Sequence, residues 1–280
     1  SGLIFLNGKI ITHNDSGDDP NLYEIDTISG TILRIINITN ATHIDWEDIS
    51  QDNTYIYIAD IGNNNGDRDN LIIYKILITN DDGFDAVGLQ VLKNIAYEFC
   101  DTVYVVSPKQ NQSAKSRSIT LKDEINFEHI DRYEWIVDGT PTDCVIFALN
   151  HIMNSSKPDL ILSGINAGSN IGDEVSYSGT VAAAMEGALR GINSIALSQL
   201  GGDHKSNSYL CSKNYSVEII KNLLKLKIKS PLYFNINFPL NISESDNTNF
   251  LYTKLASQKK SDEIFVNNTE TSYKIGRMLN

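Results

Sequence analysis

The stretch that decides the fold runs from residue 75 to residue 88 and reads KILITNDDGFDAVG. A short apolar run, 76–78, is followed by Thr79 and Asn80, and then by two adjacent aspartates, Asp81 and Asp82. Two carboxylates side by side at the end of a buried strand repel each other, and the arrangement becomes favourable when a cation lies between them. The stretch therefore predicts a strand that presents two carboxylates to a cation.

Downstream of residue 75, strand-like and helix-like patterns alternate. The predicted strands are 76–79, 103–107, 159–163, 194–198 and 232–237, and the predicted helices are 86–99, 140–153, 178–190 and 214–226. The first of these helices places Val87, Val91, Ile95 and Phe99 on one face, as a helix packed on a sheet requires. Alternation of this kind is typical of parallel sheets with right-handed crossovers, and it predicts an α/β fold.

The first 74 residues follow a different pattern. Strand-like runs at 3–6, 22–25, 31–38, 55–59 and 71–74 are separated by turn residues, which predicts an antiparallel β segment. The stretches IDWEDI and YIADIGNNNGDRDN resemble a blade of a bacterial secreted β-propeller. Within them, residues 60–69 alternate oxygen-bearing side chains, which fits either a calcium loop or a solvated turn rich in Asn and Asp.

Three domains are expected. They are a propeller-like β fragment at 1–74, an α/β core at 75–238, and a β extension at 239–280 that forms an arm to a partner subunit. Within the core, short strand-like runs at 118–121, 124–127 and 133–137 predict a β excursion. The arm is predicted to contain strands near 250–255, 263–266 and 272–275.

Composition narrows the function classes. With 41% hydrophobic and 21% charged residues among 280, the chain reads as soluble and globular, and no apolar run approaches the roughly 20 residues of a membrane helix. The net charge of −12 argues against binding to polymeric nucleic acid. Three scattered cysteines, Cys100, Cys144 and Cys211, favour reduced thiols in a cytoplasmic domain over disulfides or a zinc site.

Polar side chains follow three of the predicted strands. Asp81 and Asp82 come after the first strand, Ser113 lies in the loop after the second, and Asn166 comes after the third. In an open α/β sheet, ligands bind beyond the carboxyl ends of the strands, where these loops converge. An all-oxygen set of this kind suits Mg²⁺ or Mn²⁺ and excludes a thiolate zinc site.

A second candidate site lies one loop further on. Ser178, Gly179 and Thr180 directly precede a helix of small residues. The free backbone N–H groups at such a helix start, together with two hydroxyls and the positive end of the helix dipole, can hold an anion. An ordinary serine N-cap is the alternative. The position of the tripeptide one loop after the predicted metal ligand Asn166 favours phosphate.

Several blocks of the sequence resemble the SurE survival-protein family of metal-dependent nucleotidases and acid phosphatases. The blocks, in family order over about residues 75–240, are ILITNDDGFDAVGLQVL, VVSPKQNQSAKSRSITL, DGTPTDCVIFAL, KPDLILSGINAGSNIGDEVSYSGTVAAAMEG and FNINFP. The resemblance implies a Rossmann-like fold and a homodimer or tetramer. It implies one divalent ion, Mg²⁺ or Mn²⁺, bound by Asp81, Asp82, Ser113 and Asn166, and phosphate bound by Asn170, Ser178, Gly179 and Thr180.

The chain departs from the family pattern at both ends. Family members normally begin at the position of Lys75 and continue past the position of Arg277, so a chimeric and C-terminally truncated chain is expected. Some members supply a histidine to the site from that continuation. No histidine of this chain is an obvious replacement, and His204 is the least implausible one. The five histidines are His13, His43, His129, His151 and His204.

The expected activity is hydrolysis of phosphate monoesters, chiefly nucleoside 5′- and 3′-monophosphates, with Asp81 and Asp82 in the catalytic role. Two mechanisms stay open, direct attack by water and an aspartyl-phosphate intermediate on Asp81 or Asp82. Two other functions stay open as well. One is a nucleotide-binding protein that hydrolyses nothing, and the other is an adhesion-type β module that acts through residues 60–69.

Overall fold

The computed structural model describes residues 2–14, 19–39, 41, 46–51, 55–60, 73, 75–203, 206–226, 231–241, 251–255, 261–266 and 272–279. The chain divides into two compact units, Ser1–Ile72 and Ile73–Asn280. Each unit has its own hydrophobic core, and all the predicted site residues belong to the second.

The first unit is built from antiparallel strands, which confirms the predicted β segment. A four-stranded meander contains β1 (Leu3–Leu6), β2 (Lys9–His13), β3 (Asn21–Ile25) and β4 (Ile32–Asn37), and a hairpin contains β5 (Trp46–Gln51) and β6 (Ile56–Asp60). Trp46 and Ile49 of the hairpin share a small core with Ile4, Ile11 and Leu22 of the meander. The likeness to a propeller blade stays a prediction. Of the oxygen-rich run 60–69 only Asp60 is described, and most of the predicted strand 71–74 also lies outside the described residues.

The second unit contains a seven-stranded sheet with the order β13-β12-β11-β7-β8-β10-β9. Its strands are β7 (Ile76–Thr79), β8 (Val103–Pro108), β9 (Phe127–Asp131), β10 (Glu134–Val137), β11 (Leu160–Ala167), β12 (Ser194–Gln199) and β13 (Tyr233–Phe238). Every neighbouring pair is parallel except β9 and β10 at one edge. The sheet confirms the predicted α/β class.

Four helices cover this sheet. They are α1 (Val87–Tyr97), α2 (Pro141–Phe147), α3 (Gly179–Leu189) and α4 (Leu210–Leu224), with a π-helical turn at Ala148–Ile152 and 3₁₀ turns at Gly172–Ser176 and Ser206–Tyr209. Thr140 begins α2 with a capping box in which its hydroxyl accepts from the N–H of Asp143, and Pro141 takes the first helical position. Among the described residues, none of the helices is both long and apolar enough to cross a membrane.

The core lies on both faces of the sheet, because successive strand side chains point in opposite directions. Ile76 and Ile78 pack in one cluster with residues of α1 and α4, whereas Leu77 packs in another with residues of α2 and α3. All four residues of β7 are buried, as expected for a central parallel strand covered on both sides.

Two of the predicted β runs are wrong, and a third is largely so. Residues 118–121 form no strand, because Asp143 and Thr140 of the α2 capping box hold this segment through side-chain hydrogen bonds instead. The run 124–127 becomes a strand only at Phe127, where β9 begins. Residues 251–255 are also irregular.

The β excursion predicted within the core joins the main sheet, since β10 pairs in parallel with β8. The last described strands, β14 (Ser261–Val266) and β15 (Tyr273–Leu279), form an antiparallel hairpin.

Candidate active site

The candidate site lies where β11, β7 and β8 end side by side. These three strands are neighbours in the sheet, so the loops that follow them meet at one edge. The main-chain N–H of Phe84 donates to the carbonyl of Pro108 at 2.9 Å, and that of Gln112 donates to the carbonyl of Asp81 at 2.6 Å. The loop after β8 is therefore tied directly to the aspartate loop after β7.

Asp81 is the most buried carboxylate of the site, with 3% of its surface exposed. Its Oδ1 accepts a hydrogen bond of 2.5 Å from the hydroxyl of Thr180, in the first turn of α3. Burial, followed by the charge of Asp82, raises the pKa of Asp81 to about 6, although hydrogen bonds from Thr180 oppose the rise. A buried carboxylate of this kind, next to a second one, is an environment that a divalent cation relieves.

Asp82 is half-buried and accepts hydrogen bonds from the end of β11 and from the loop after β8. Its Oδ2 accepts from the main-chain N–H of Ala167 at 3.0 Å, and its Oδ1 accepts from the side-chain amide of Asn111 at 3.3 Å. Ala167 is adjacent to Asn166, and Asn111 is two residues from Ser113. Asp82 therefore connects the end of β11, which carries Asn166, with the loop that carries Ser113.

Asn80 fixes the start of the aspartate loop. Its amide nitrogen donates to the carbonyl of Gly83 at 2.8 Å, and its amide oxygen accepts from the buried hydroxyl of Ser107 at 2.5 Å. Gly83 adopts a φ of 104°, a left-handed conformation that L side chains rarely take. This turn fixes the loop from which Asp81 reaches the start of α3 and Asp82 reaches the end of β11.

Ser113 lies in the loop after β8, and Asn166 lies at the end of β11, which extends to Ala167. Ser113 is exposed, and its main-chain N–H donates to the side chain of Asn111 at 2.9 Å. Asn166 is half-buried, and its amide nitrogen donates to the carbonyl of Gly168 at 2.9 Å, which leaves its amide oxygen for another partner. Hydroxyl, amide and carboxylate oxygens are the ligands that Mg²⁺ and Mn²⁺ accept, so these residues fit such an ion. Among the described residues, no group of three or more His, Cys, Asp or Glu side chains is arranged to hold a metal.

The start of α3 lies against Asp81. Ser178 is its N-cap, and the hydroxyl accepts from the N–H of Val181 at 3.1 Å. Gly179 sits so close to Asp81 that a Cβ built on the glycine would come within 2.8 Å of the Asp81 Cβ. The tripeptide 178–180 therefore caps its helix in the ordinary way and also brings the positive end of the helix dipole to the aspartate pair.

The loop after β8 also contacts the segment before α3. The N–H of Ser116 donates to the carbonyl of Tyr177 at 3.0 Å, and its hydroxyl donates to the carbonyl of Ser176 at 2.7 Å. Ala114 and Ser116 have φ values of 60° and 54°, which are uncommon for residues other than glycine. This loop thus bridges the aspartate loop on one side and the helix start on the other.

Asn170 is buried between strand ends of the same sheet. Its main-chain N–H donates to the side chain of Asn237 at 2.7 Å, and its amide nitrogen donates to the hydroxyl of Ser198 at 2.8 Å. Its carbonyl accepts from the side-chain amides of Asn235 and Asn237 at 2.8 and 3.0 Å. No sequence motif names these partners, but the spacing of the two asparagines in FNINFP places both on one face of β13.

Tyr209 is another buried residue near Asp82, and no sequence motif marks it. It is 1% exposed and ends the 3₁₀ turn before α4. Burial, followed by the charges of Asp82 and Asp203, raises the pKa of Tyr209 to about 12. Its hydroxyl therefore stays protonated at neutral pH.

The described histidines make other contacts. His13 is buried in the first unit, where its ring accepts a hydrogen bond from the N–H of Gly2 at 3.1 Å. His129 stacks on Trp135 and His151 stacks on Phe147. His43 and His204 lie outside the described residues.

Comparison with known proteins identifies the family of the chain. The family model described as "Survival protein SurE" matches residues 76–262, which is more than half of the chain. The chain belongs to the SurE family. This confirms the resemblance carried by the sequence blocks.

Several relatives of the SurE chain are named 5′-nucleotidase SurE. The protein from Methylobacterium radiotolerans is 42% identical over 167 residues, and that from Wolbachia pipientis is 48% identical over 166 residues. Each alignment covers 59% of this chain, and the chain spans 66% and 64% of the two relatives, slightly less than two thirds. The crystal structure of the SurE protein from Aquifex aeolicus matches with a TM-score of 0.62 and 32% identity, covering 72% of this chain and 82% of that one.

Proposed function

We propose that the protein is a metal-dependent phosphomonoesterase that hydrolyses nucleoside 5′- and 3′-monophosphates to nucleoside and phosphate. The observation that carries the proposal is the contact between Asp81 and the start of α3, where the Thr180 hydroxyl donates to the Asp81 carboxylate at 2.5 Å. A carboxylate suited to a cation and a helix start suited to an anion adjoin there, as cleavage of an anionic ester on a metal requires.

The residues proposed to hold one Mg²⁺ or Mn²⁺ are Asp81, Asp82, Ser113 and Asn166. When bound, such an ion offsets negative charge on the phosphate during transfer and lowers the pKa of a bound water. The chain's own part is to fix the ligands. Thr180 orients the Asp81 carboxylate, the N–H of Ala167 orients Asp82, and Gly168 engages the amide nitrogen of Asn166.

The phosphate group is proposed to lie against Asn170, Ser178, Gly179 and Thr180. The first turn of α3 presents the positive end of the helix dipole, which stabilises phosphate oxygens, although the N–H of Val181 is engaged by the Ser178 hydroxyl and Asp81 accepts a main-chain hydrogen bond from Thr180. Asn170 contributes a side-chain amide of which one N–H is already engaged by Ser198. Together these groups hold the substrate's non-bridging oxygens while the ester bond breaks.

Direct attack by water is the mechanism that the hydrogen bonding favours. Both oxygens of Asp82 accept hydrogen bonds, and Oδ1 of Asp81 accepts one from Thr180. Carboxylate oxygens engaged in this way are poorer nucleophiles towards phosphorus than free ones. Inversion of configuration at phosphorus is the expected outcome. Retention, or a phosphorylated aspartate found by mass spectrometry after acid quenching, would establish the aspartyl-phosphate route instead.

The proposed setting is that of a cytoplasmic homodimer or tetramer acting on free nucleotides. Family membership favours hydrolysis over the non-hydrolysing and adhesion functions. The test is phosphate release across a panel of nucleoside monophosphates with Mg²⁺ or Mn²⁺, compared with EDTA. A nucleotide-binding regulator would bind these nucleotides and release no phosphate, and an adhesion module would neither bind nor hydrolyse them.

A further inference from the structure

Two strands at the edge of the main sheet direct three polar side chains at one residue. In the pairing of β12 with β13, Ser198 lies opposite Asn237. Asn235 is two residues earlier on β13 and therefore points to the same face as Asn237. All three side chains bond to Asn170, in the loop between β11 and α3.

Asn237 holds the backbone of Asn170 at both of its polar groups. The Asn237 side chain accepts from the N–H of Asn170 at 2.7 Å and donates to the carbonyl of Asn170 at 3.0 Å. Asn235 donates to the same carbonyl at 2.8 Å. Because a carbonyl oxygen has two lone pairs, both donors can be accommodated. The side-chain amide of Asn237 thus replaces the main-chain partner that a neighbouring strand would supply.

The loop that carries Asn170 needs such an external support. Gly168 and Gly172 stand two residues before and after it, with φ values of 125° and 54°. Glycine gives the backbone more freedom than any other residue, so a loop with glycines on both sides of Asn170 does not fix its position by itself. The bonds from β12 and β13 supply that restriction.

We propose that Asn237 is a positioning residue for the phosphate site: it fixes the backbone of Asn170, so that the Asn170 amide meets a phosphate oxygen. The inference rests on the proposed function, in which Asn170 binds phosphate. Asn237 itself engages Asn170 and acts on the substrate only through it. Ser198 completes the arrangement, since its hydroxyl takes one N–H of the Asn170 amide and leaves the other for the substrate.

The chain offers a matched control for this role. Asn193 accepts from the N–H of Leu232 at 3.3 Å, just before the start of β13 and at the other end of the strand from Asn237. Asn193→Ala removes a side-chain hydrogen bond to the same edge of the sheet but leaves Asn170 untouched. Any decrease in kcat/KM or phosphate affinity that Asn193→Ala and Asn237→Ala share therefore reflects disturbance of the edge strand and not of the phosphate site.

Asn237→Ala and Asn237→Gln separate positioning from general stability. Asn237→Ala removes both bonds to the Asn170 backbone. Asn237→Gln keeps an uncharged amide with both a donor and an acceptor, but its side chain is one methylene longer, so it can pair both backbone groups only if Asn170 is displaced. We expect kcat/KM for a nucleoside monophosphate to fall about tenfold to a hundredfold in Asn237→Ala, which is the range for misplacement of a binding group. Asn237→Gln should recover part of the loss, and Asn193→Ala should match the parent.

A second readout does not require turnover. Calorimetric titration with inorganic phosphate in the presence of Mn²⁺ should give weaker binding in Asn237→Ala than in the parent and in Asn193→Ala. If Asn237→Ala does not fold, weaker phosphate binding by a folded Asn237→Gln than by Asn193→Ala supports the inference, and equal binding overturns it.

The outcomes distinguish the inference from the proposed function. A parent protein that releases no phosphate refutes the proposed hydrolysis, and phosphate titration then still tests the role of Asn237. A parent that hydrolyses its substrate, combined with an Asn237→Ala variant of equal kcat/KM and equal phosphate affinity, overturns the inference alone.

Discussion

The hydroxyl of Thr180 donates to Oδ1 of Asp81 across 2.5 Å, and the two residues are 99 positions apart in the sequence. Both are buried, Thr180 completely. A hydrogen bond to a charged group contributes about 1.5–3 kcal/mol to the free energy of unfolding, which is more than a bond between neutral groups contributes. This bond joins the end of β7 to the start of α3, and with them the proposed metal and phosphate sites.

Thr180→Val should weaken metal binding and hydrolysis. Valine matches threonine in shape but cannot donate to Asp81, so the carboxylate loses a partner that favours its ionised form. We expect the affinity for Mn²⁺ to fall about tenfold, which corresponds to the loss of one charge-assisted hydrogen bond. Calorimetric titration with Mn²⁺ measures the change.

Thr142→Val is the matched control. Thr142 is also completely buried, near the start of α2, and its hydroxyl has no hydrogen-bond partner among the described residues. Removing an unpaired buried hydroxyl should leave stability unchanged or slightly higher. Equal Mn²⁺ affinities in Thr180→Val and Thr142→Val would contradict the role given to Thr180.

Gly179→Ala should impair phosphate binding through crowding. The new Cβ would lie 2.8 Å from the Asp81 Cβ and 3.0 Å from its Oδ2, so the start of α3 must move away from the aspartates. We expect a stability loss of about 1–3 kcal/mol, as for other overpacked sites, together with an increase in KM. Steady-state kinetics and thermal melting give the two readouts.

Gly191→Ala provides the comparison for Gly179→Ala. Gly191 has a φ of 84° with open space around it, so alanine there strains the backbone without crowding the site. It should lower the melting temperature and leave KM unchanged. A KM for Gly179→Ala that equals that of Gly191→Ala would show that the close approach to Asp81 is not used in binding.

Asp81→Asn should stabilise the metal-free protein in a pH-dependent way. The pKa of Asp81 is raised from its ordinary value of 3.8 to about 6 in the folded protein. The folded state therefore binds this proton more tightly than the unfolded state, and the resulting stabilisation is complete at pH values below the pKa of the unfolded chain. That contribution is lost as pH rises through about 6, up to about 3 kcal/mol for a shift of this size. Asparagine carries no charge and still accepts from Thr180, so it avoids the loss.

Chemical denaturation in EDTA measures the difference between Asp81→Asn and the parent. The variant should be more stable by about 1–3 kcal/mol at pH 8, and the gap should shrink towards pH 4. Asp85→Asn, which removes an exposed carboxylate four residues away, should show no comparable gap. A gap for Asp81→Asn that does not change with pH would contradict the assignment.

The sequence predicted the parts of the fold that local patterns specify. The five predicted parallel strands correspond to β7, β8, β11, β12 and β13, and the predicted strand 76–79 has the observed bounds. Apolar runs and helix-start signals are local, so they can be read without knowledge of the fold. The placement of Asp81, Ser113 and Asn166 at one edge of the sheet was also predictable, because parallel strands joined by helices have their carboxyl ends at the same edge. The order of the strands was not predicted.

The sequence could not predict the contacts that cross the fold. The bonds from Thr180 to Asp81 and from Asn237 to Asn170 join residues 99 and 67 positions apart, and they depend on side-chain geometry. The strand-like run 118–121 predicts a strand, which the structure does not contain. Its backbone is instead held by Asp143, which accepts from the N–H of Thr120 at 3.0 Å, and no local pattern signals that interaction.

The central claim is that the aspartate pair binds the metal on which hydrolysis depends, and Asp82→Asn tests it most directly. The measurement is hydrolysis of p-nitrophenyl phosphate and of a nucleoside monophosphate by the parent, Asp82→Asn and the control Asp85→Asn, each with Mn²⁺ and with EDTA. We predict Mn²⁺-dependent hydrolysis by the parent and by Asp85→Asn, and a loss of about a hundredfold or more in folded Asp82→Asn. Hydrolysis by Asp82→Asn at the parent rate, or equal parent rates in Mn²⁺ and EDTA, would contradict the claim.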